Sequence, residues 1–186
     1  MLTLKTLLNL NMIETTFKKK HSLPVVYKKL TLGNCSYGKA VFAAEHIHPG
    51  DVILKFGGSV IPSKELPYPY EHEKDYFLQI GEDMYLGPSG DMDDYVNHSC
   101  DPNCGIKIQH NEVVLIAISF IKKGDQITFN YSTTMNSDWG EFRCSCGSSN
   151  CLDVVRNFIT LPPLIQKKYL ELDVIPDYIL AKIIDI

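Results

Sequence analysis

Asn97-His98-Ser99-Cys100-Asp101-Pro102-Asn103 sets an amide, an imidazole, a thiol and a carboxylate side by side. Singly these residues are ordinary. Asn97 alone reads as a turn residue, and His98 alone as a structural histidine. Their weight comes from the residues around them. About 25 residues later the chain reads Gln126-Ile127-Thr128-Phe129-Asn130-Tyr131, and after that Cys144-Ser145-Cys146-Gly147-Ser148-Ser149-Asn150-Cys151.

The second of these, a C-x-C-x4-C run, carries its own chemistry. Three thiolates in a loop of Gly and Ser can converge on one ion, and tetrahedral zinc needs four ligands. Spacing leaves the fourth open between Cys100 and Cys104. Buried thiols without a metal are the bland reading, but free cysteines seldom cluster in such a loop. A nucleic-acid-binding zinc ribbon would pair two C-x2-C hooks, which are absent. Six cysteines, with Cys35 standing alone, favour metal binding over disulfides and an intracellular setting.

Around these runs the chain reads as short strands. Leu23–Leu32 is β-branched and aromatic, with Pro24 at its start. Ala40–Ala44 and Val52–Phe56 are apolar runs, read as a pair turned at Pro49-Gly50. Val113–Ser119 and Gln126–Tyr131 are read as a second pair, turned at Lys123-Gly124-Asp125. Pro62–Pro69 is a proline-rich loop. Helical spacing appears only after Pro162-Pro163, in Leu164, Ile165, Tyr169 and Leu170, and again over Ile175–Ile184.

The 186 residues suit one domain with a small appendage, and 45% hydrophobic with 22% charged residues is a globular balance. A net charge of −4 offers no basic field for nucleic acid and suits a basic peptide better. No run of about 18 apolar residues predicts a membrane span. Asn9, Asn11 and Glu14 interrupt the apolar start, so Met1–Phe17 is expected as a short amphipathic helix packed on the domain, or a frayed end, rather than a signal peptide. His46, His48, His72 and His110 form no ligand pair and read as surface, and Lys18-Lys19-Lys20 as a solvated run.

Taken together, the NHSCDPN run, the ITFNY run and the cysteine cluster resemble the SET family of protein-lysine methyltransferases followed by its post-SET zinc loop. Tyr37-Gly38-Lys39-Ala40-Val41-Phe42-Ala43 is similar to the family's opening glycine motif. The resemblance covers roughly residues 24–152. It implies a mostly β fold of the β-clip type, with small sheets and a pseudoknot near the NHS segment. The expected organisation is an N-terminal extension (1–22), the SET domain (23–134), the zinc loop (138–155) and a helical tail (156–186). Three positions depart from the pattern: Ala40 for a glycine, Asp94 for an arginine and Asn130 for an aspartate.

The resemblance also implies transfer of a methyl group from S-adenosylmethionine to a lysine of a protein or peptide, a histone tail among the candidates. A non-catalytic, peptide-binding module is the alternative. Free lysine has a pKa of about 10.4, so only about one in a few thousand is neutral at pH 7. An apolar aromatic channel disfavours the ammonium form. The implied catalytic residues are Tyr131 and Tyr76, with Tyr76, Phe129 and Tyr131 forming the channel. Lys39, Ala40, Tyr76, Asn97, His98, Tyr131 and Phe142 are implied to contact the cofactor. Cys100, Cys144, Cys146 and Cys151 are the implied ligands of one structural zinc, which leaves Cys104 out. Phenylalanine at 129, where a tyrosine hydroxyl would hold a water, implies di- or trimethylation.

Overall fold

The computed structural model describes residues 28–67, 76–109, 112–136 and 141–184. The expected N-terminal extension and helix, His72 and His110 lie outside these residues, as does the end of the proline-rich loop.

β1 (Leu30–Cys35) and β2 (Gly38–Ala43) form an antiparallel hairpin, in register from Leu30 opposite Ala43 to Cys35 opposite Gly38. Gly38 leaves the turn at φ 109°, a conformation that favours glycine. A five-stranded sheet runs in the order β3 (Val52–Phe56), β9 (Glu112–Ala117), β8 (Cys104–Gln109), β10 (Thr128–Phe129), β7 (Asn97–His98). A three-stranded sheet places β6 (Met84–Leu86) between β4 (Val60–Pro62) and β5 (Leu78–Gln79). β11 (Phe142–Arg143) and β12 (Val154–Val155) make a small antiparallel pair. Two helices follow, α1 (Pro163–Glu171) and α2 (Asp177–Ile184). The mostly β expectation holds, and both helices lie where their periodicity placed them.

Both expected strand pairings are corrected. β2 and β3 do not pair with each other: β2 takes β1 as its partner, and β3 takes β9. β9 lies between β3 and β8, whereas β10 pairs in parallel with β7 and β8. The turns themselves exist, with Gly50 at φ 88° and Gly124 at φ 93°. They change the chain's direction without closing ladders. Single bridges, Phe42 with Gln126 and Ile47 with Ile121, add to the β3–β9 ladder in joining the flanks of one turn to those of the other. Alternation fixes which face of a strand is buried but not which strand it meets.

β10 sits between two strands that residues 99–103 connect. Phe129 is level with His98 on one side and with Cys104 on the other. The NHSCDPN stretch therefore carries the chain across the end of β10, just where Tyr131 emerges. Asn103 pins this crossing. Its Oδ1 accepts the Thr128 N–H at 3.0 Å, and its Nδ2 donates to the Gln126 carbonyl at 2.8 Å.

The main core gathers Val41, Ile47, Ile53, Ile106, Leu115, Ile121 and Ile127, all fully buried. β9 alternates between two cores, as a period of two requires. Val113, Leu115 and Ala117 join the main core, while Ile116 packs on a second core of Phe158, Tyr169, Val174 and Ile179. That second core fastens the helical tail to the sheet. Gly105 on β8 permits the contact, since a Cβ there would lie 2.7 Å from Val174 Cβ.

Candidate functional site

Three features converge on Tyr131: a narrow cavity, a wider cleft and a thiol cluster. The narrow cavity, about 90 Å³, is lined by Tyr76, Leu78, Tyr85, Phe129, Tyr131 and Phe142 among others. The cleft, about 580 Å³, is bounded by Tyr37, Gly38, Lys39, Asn97, His98 and Phe142, a volume in the range of small-molecule sites. Tyr76, Asp94, Tyr131 and Phe142 line both, so the two spaces meet there.

Tyr131 begins a short 3-10 turn directly after β10. Its hydroxyl donates to the Val96 carbonyl at 2.9 Å. With its proton so engaged, the oxygen keeps lone pairs to accept contacts from the junction of the two cavities. Phe129 supports the ring at a 4.8 Å centroid separation and is itself braced by Phe56 at 6.2 Å. Tyr76 stacks edge-on to Tyr95 at 5.7 Å, and Lys39 Nζ lies 4.8 Å over the Tyr95 ring. This aromatic lining raises the cost of holding a charged ammonium.

In the cleft, Asn97 Nδ2 donates to the Lys39 carbonyl at 3.1 Å and ties β7 to β2. Its Oδ1 has no hydrogen-bond partner among the described residues. Of the residues expected on the cofactor, Lys39, Tyr76, Asn97, His98, Tyr131 and Phe142 line the cleft. Ala40 does not. It is wholly buried beneath it, at negative φ, so the expected glycine's freedom is not needed there.

Asp94 acquires a reason that the sequence did not offer. Its carboxylate accepts the N–H groups of Ser89 at 2.9 Å and Gly90 at 2.8 Å, closing a tight loop beside the cavities. Asp93 does the same for Gly57 at 2.8 Å. Asn130 is buried and donates to the Tyr169 hydroxyl at 3.2 Å, a bond that a carboxylate could not donate.

The thiols meet as one cluster. Sulfurs of Cys100 and Cys144 lie 3.7 Å apart, close to the roughly 3.8 Å edge of a tetrahedron with Zn–S bonds of about 2.3 Å. The ligand atoms of His98, Cys100, Cys144 and Cys146 all fall within 4.8 Å of one another. Cys151 stands against the same group, its Sγ 3.8 Å from the Cys144 carbonyl and near enough to Cys146 to help lower that thiol's pKa. Cys104 is apart, bonded to Asn103, and Cys35 borders Asn97.

The donor set fits a metal. Backbone N–H groups of Leu152, Cys100 and Cys146 point at the sulfurs of Cys100, Cys146 and Cys144, which favours thiolates. Without a cation, burial pushes Cys100 up to about 11 and Cys144 higher still, each also opposed by neighbouring thiols. Burial raises Cys146 too, but the N–H groups of Cys100 and Ser148 and the adjoining thiols outweigh it and leave about 7. A divalent cation relieves this conflict by making all the thiolates favourable at once.

Sequence reasoning missed Tyr85, Asp93 and Tyr178. The Tyr178 hydroxyl on α2 lies between the carbonyls of Gln79 at 2.8 Å and Thr134 at 2.6 Å, both on the narrow cavity's wall. No local signal could reveal a contact 99 residues away. The Asp93-Asp94 pair just ahead of the NHS segment could have been noticed.

Comparison with known proteins points one way. The SET domain signature matches residues 38–132, which is 95 of the 186. A Variant-silencing SET domain-containing protein of Plasmodium falciparum is 31% identical over 132 residues, covering 62% of this chain and 5% of that protein. Histone-lysine N-methyltransferase ASHH2 of Arabidopsis thaliana is 25% identical over 152 residues, covering 75% of this chain and 8% of its own length. The chain thus spans only a small part of the curated relatives it matches. Among solved structures, a humanized mutant of the Chaetomium thermophilum Polycomb Repressive Complex 2 aligns with TM-score 0.52 and 25% identity, over 60% of this chain and 16% of that one. KRYPTONITE in complex with DNA, an H3(1-15) peptide and SAH has the same fold at TM-score 0.57 and 21% identity, over 70% of this chain and 30% of its own.

Proposed function

The chain belongs to the SET-domain family, and from that premise we propose that it is an S-adenosylmethionine-dependent protein-lysine N-methyltransferase. The observation that carries this reading is the meeting of the cleft and the narrow cavity at Tyr131. A methyl donor and a lysine entering from opposite sides need one shared opening at which nucleophile and electrophile align.

S-adenosylmethionine, when bound, supplies an electrophilic methyl on a sulfonium. Lys39, Asn97, His98 and Phe142 would hold it in the cleft, and Tyr76 and Tyr131, which line both spaces, would meet the group it transfers. The chain's other contributions follow from its side chains. Tyr76, Phe129 and Tyr131 strip water from the arriving amine and lower its proton affinity. The Tyr131 oxygen, with its own proton held by the Val96 carbonyl, would accept weak C–H···O contacts from the polarised methyl. Asp93 and Asp94 at the cavity wall direct their carboxylates to the N–H groups of Gly57, Ser89 and Gly90 and so shape the cavity rather than hold the amine's charge. Phe129 lacks the hydroxyl that would fix a water, so the cavity accommodates a methylated amine and supports di- or trimethylation.

The substrate class is a basic, lysine-bearing peptide segment, with histone tails as the first to test. Curated relatives bear the name histone-lysine methyltransferase, and one structural neighbour holds an H3 peptide. That neighbour also holds DNA, but the acidic balance of this chain favours a peptide over direct nucleic-acid contact. An intracellular setting, with reduced cysteines loaded with metal, completes the reading. The test is methyl transfer from labelled S-adenosylmethionine to mixed histones and to total cell protein. Wild type should label protein and Tyr131→Phe should lose most of the activity. No label above the Tyr131→Phe background would leave the non-catalytic, peptide-binding alternative.

A further inference from the structure

His98 touches both the thiol cluster and the Tyr131 backbone, and the two contacts together decide its proton. Its Nδ1 lies 3.1 Å from the backbone nitrogen of Tyr131, a group that can only donate. Nδ1 must therefore accept, and a neutral ring then carries its hydrogen on Nε2. Nε2 lies 3.3 Å from Cys100 Sγ. A protonated nitrogen has no lone pair for a metal. To ligate through Nε2 while Nδ1 accepts from Tyr131, the ring would have to be an imidazolate. Although its ring belongs to the compact cluster by distance, the hydrogen bonding removes it from the ligand set and leaves that place to Cys151.

The surroundings reinforce this geometry. The His98 ring packs edge-on against Tyr131 at 5.3 Å and Phe142 at 5.9 Å, and Phe142 meets Tyr131 at 6.1 Å. Phe142 stands two residues before Cys144. The metal loop thus reaches Tyr131 by two routes, an aromatic contact through Phe142 and a hydrogen-bonded one through Cys100 and His98.

We propose that His98 is a positioning residue outside the metal shell, a two-ended strut whose Nε2–H holds the Cys100 thiolate while its Nδ1 holds the Tyr131 N–H, so that filling the metal site fixes the catalytic tyrosine. Hydrogen bonds from imidazole N–H to a ligating atom orient metal ligands and tune them. Here the bond runs to a sulfur, and the far side of the ring is fastened to the residue that performs the chemistry. The strut bears on catalysis only through the methyltransferase reading of Tyr131. Its placement of the proton stands independently of that reading.

The decisive experiment is nitrogen-15 NMR of the histidine side chains in the zinc-loaded full chain. His98 should show a hydrogen on Nε2 and a bare, hydrogen-bonded Nδ1. A metal-bound Nε2 without hydrogen would overturn the proposal. In the cobalt-loaded protein, His98→Asn and His98→Gln should each retain one metal per chain with the thiolate-to-cobalt absorption of wild type. Loss of the metal, or a change in ligand number, would count against it. The two variants also divide the strut. Asn offers an acceptor near the Nδ1 position, and Gln a donor near Nε2. Metal addition should shift the Tyr131 amide resonance in wild type and shift it much less in His98→Gln, where only the contact through Phe142 remains. With labelled peptide, His98→Gln should lose about tenfold in kcat, with peptide KM little changed and a larger loss than in His98→Asn. The reverse order, or an equal metal response of the Tyr131 amide in all three proteins, would sink the coupling. Absence of any methyl transfer by wild type would defeat the enzymatic reading and leave the NMR result intact.

Discussion

The hydroxyl of Tyr178 sits 2.6 Å from the carbonyl oxygen of Thr134, joining the C-terminal helix to the turn that carries Tyr131. The Gln79 carbonyl lies 2.8 Å from the same oxygen, so one buried hydroxyl braces two walls of the narrow cavity. Burial raises the Tyr178 pKa well above 10, which keeps the group a neutral donor throughout the working range. Tyr178→Phe removes the donor and leaves buried carbonyls short of a partner. A loss of about 1–3 kcal/mol is expected, read as a lower urea midpoint with unchanged slope.

Asn97→Ala should open the cleft. The substitution deletes the bond to the Lys39 carbonyl and the side chain that borders the cofactor space. Calorimetry should show micromolar binding of S-adenosylmethionine to the zinc-loaded wild type and no measurable heat for the variant. Wild-type affinity in the variant would remove Asn97 from the site.

One metal per chain is expected by elemental analysis. Cys151→Ser should lose it, because Cys151 stands against Cys144 and Cys146, whereas Cys104→Ser and Cys35→Ser should keep it, since those thiols lie against Asn103 and Asn97 instead. In chelated protein Cys146, at about 7, should be alkylated first near neutral pH, and its labelling should fall as pH drops below that value. Preferential labelling of Cys100 or Cys144 would contradict the hydrogen-bond pattern around the sulfurs.

Phe129→Tyr should change the product rather than abolish the first transfer. Phe129 is buried between Phe56 and Tyr131 and lines the narrow cavity, so a new hydroxyl there can hold a water. Mass spectrometry of an exhaustive reaction should show wild type reaching two or three methyl groups and the variant stopping mainly at one. A wild-type enzyme that stops at one methyl would show that Phe129 does not set the limit.

Gly105→Ala tests how the helical tail is fastened. The added Cβ would come within 2.7 Å of both Cβ and Cγ1 of Val174, atoms on a stiff, branched side chain. Overpacking of this kind costs about 1–3 kcal/mol. Thermal melting should fall in the single variant and recover substantially in Gly105→Ala with Val174→Ala. Independent, additive losses would show that the two sites do not touch.

By itself, the sequence determined the family, the mostly β character, the two C-terminal helices and the residues that bear chemistry. Those features are local. The spacing of Cys144, Cys146 and Cys151, the apolar run of β9 and the run through Asn97–Asn103 are legible because each is set by neighbours along the chain. Only the tertiary structure decided partners. It set β10 between β7 and β8, gave β2 to β1, brought Tyr178 to Thr134 and buried Ala40 below the cleft. The His98 proton was likewise beyond the sequence, because it depends on Tyr131 and Cys100 flanking the ring in space. Strand pairing and buried hydrogen bonds minimise free energy over the whole chain, so residues far apart in sequence select one another, and no local window contains both members of the pair.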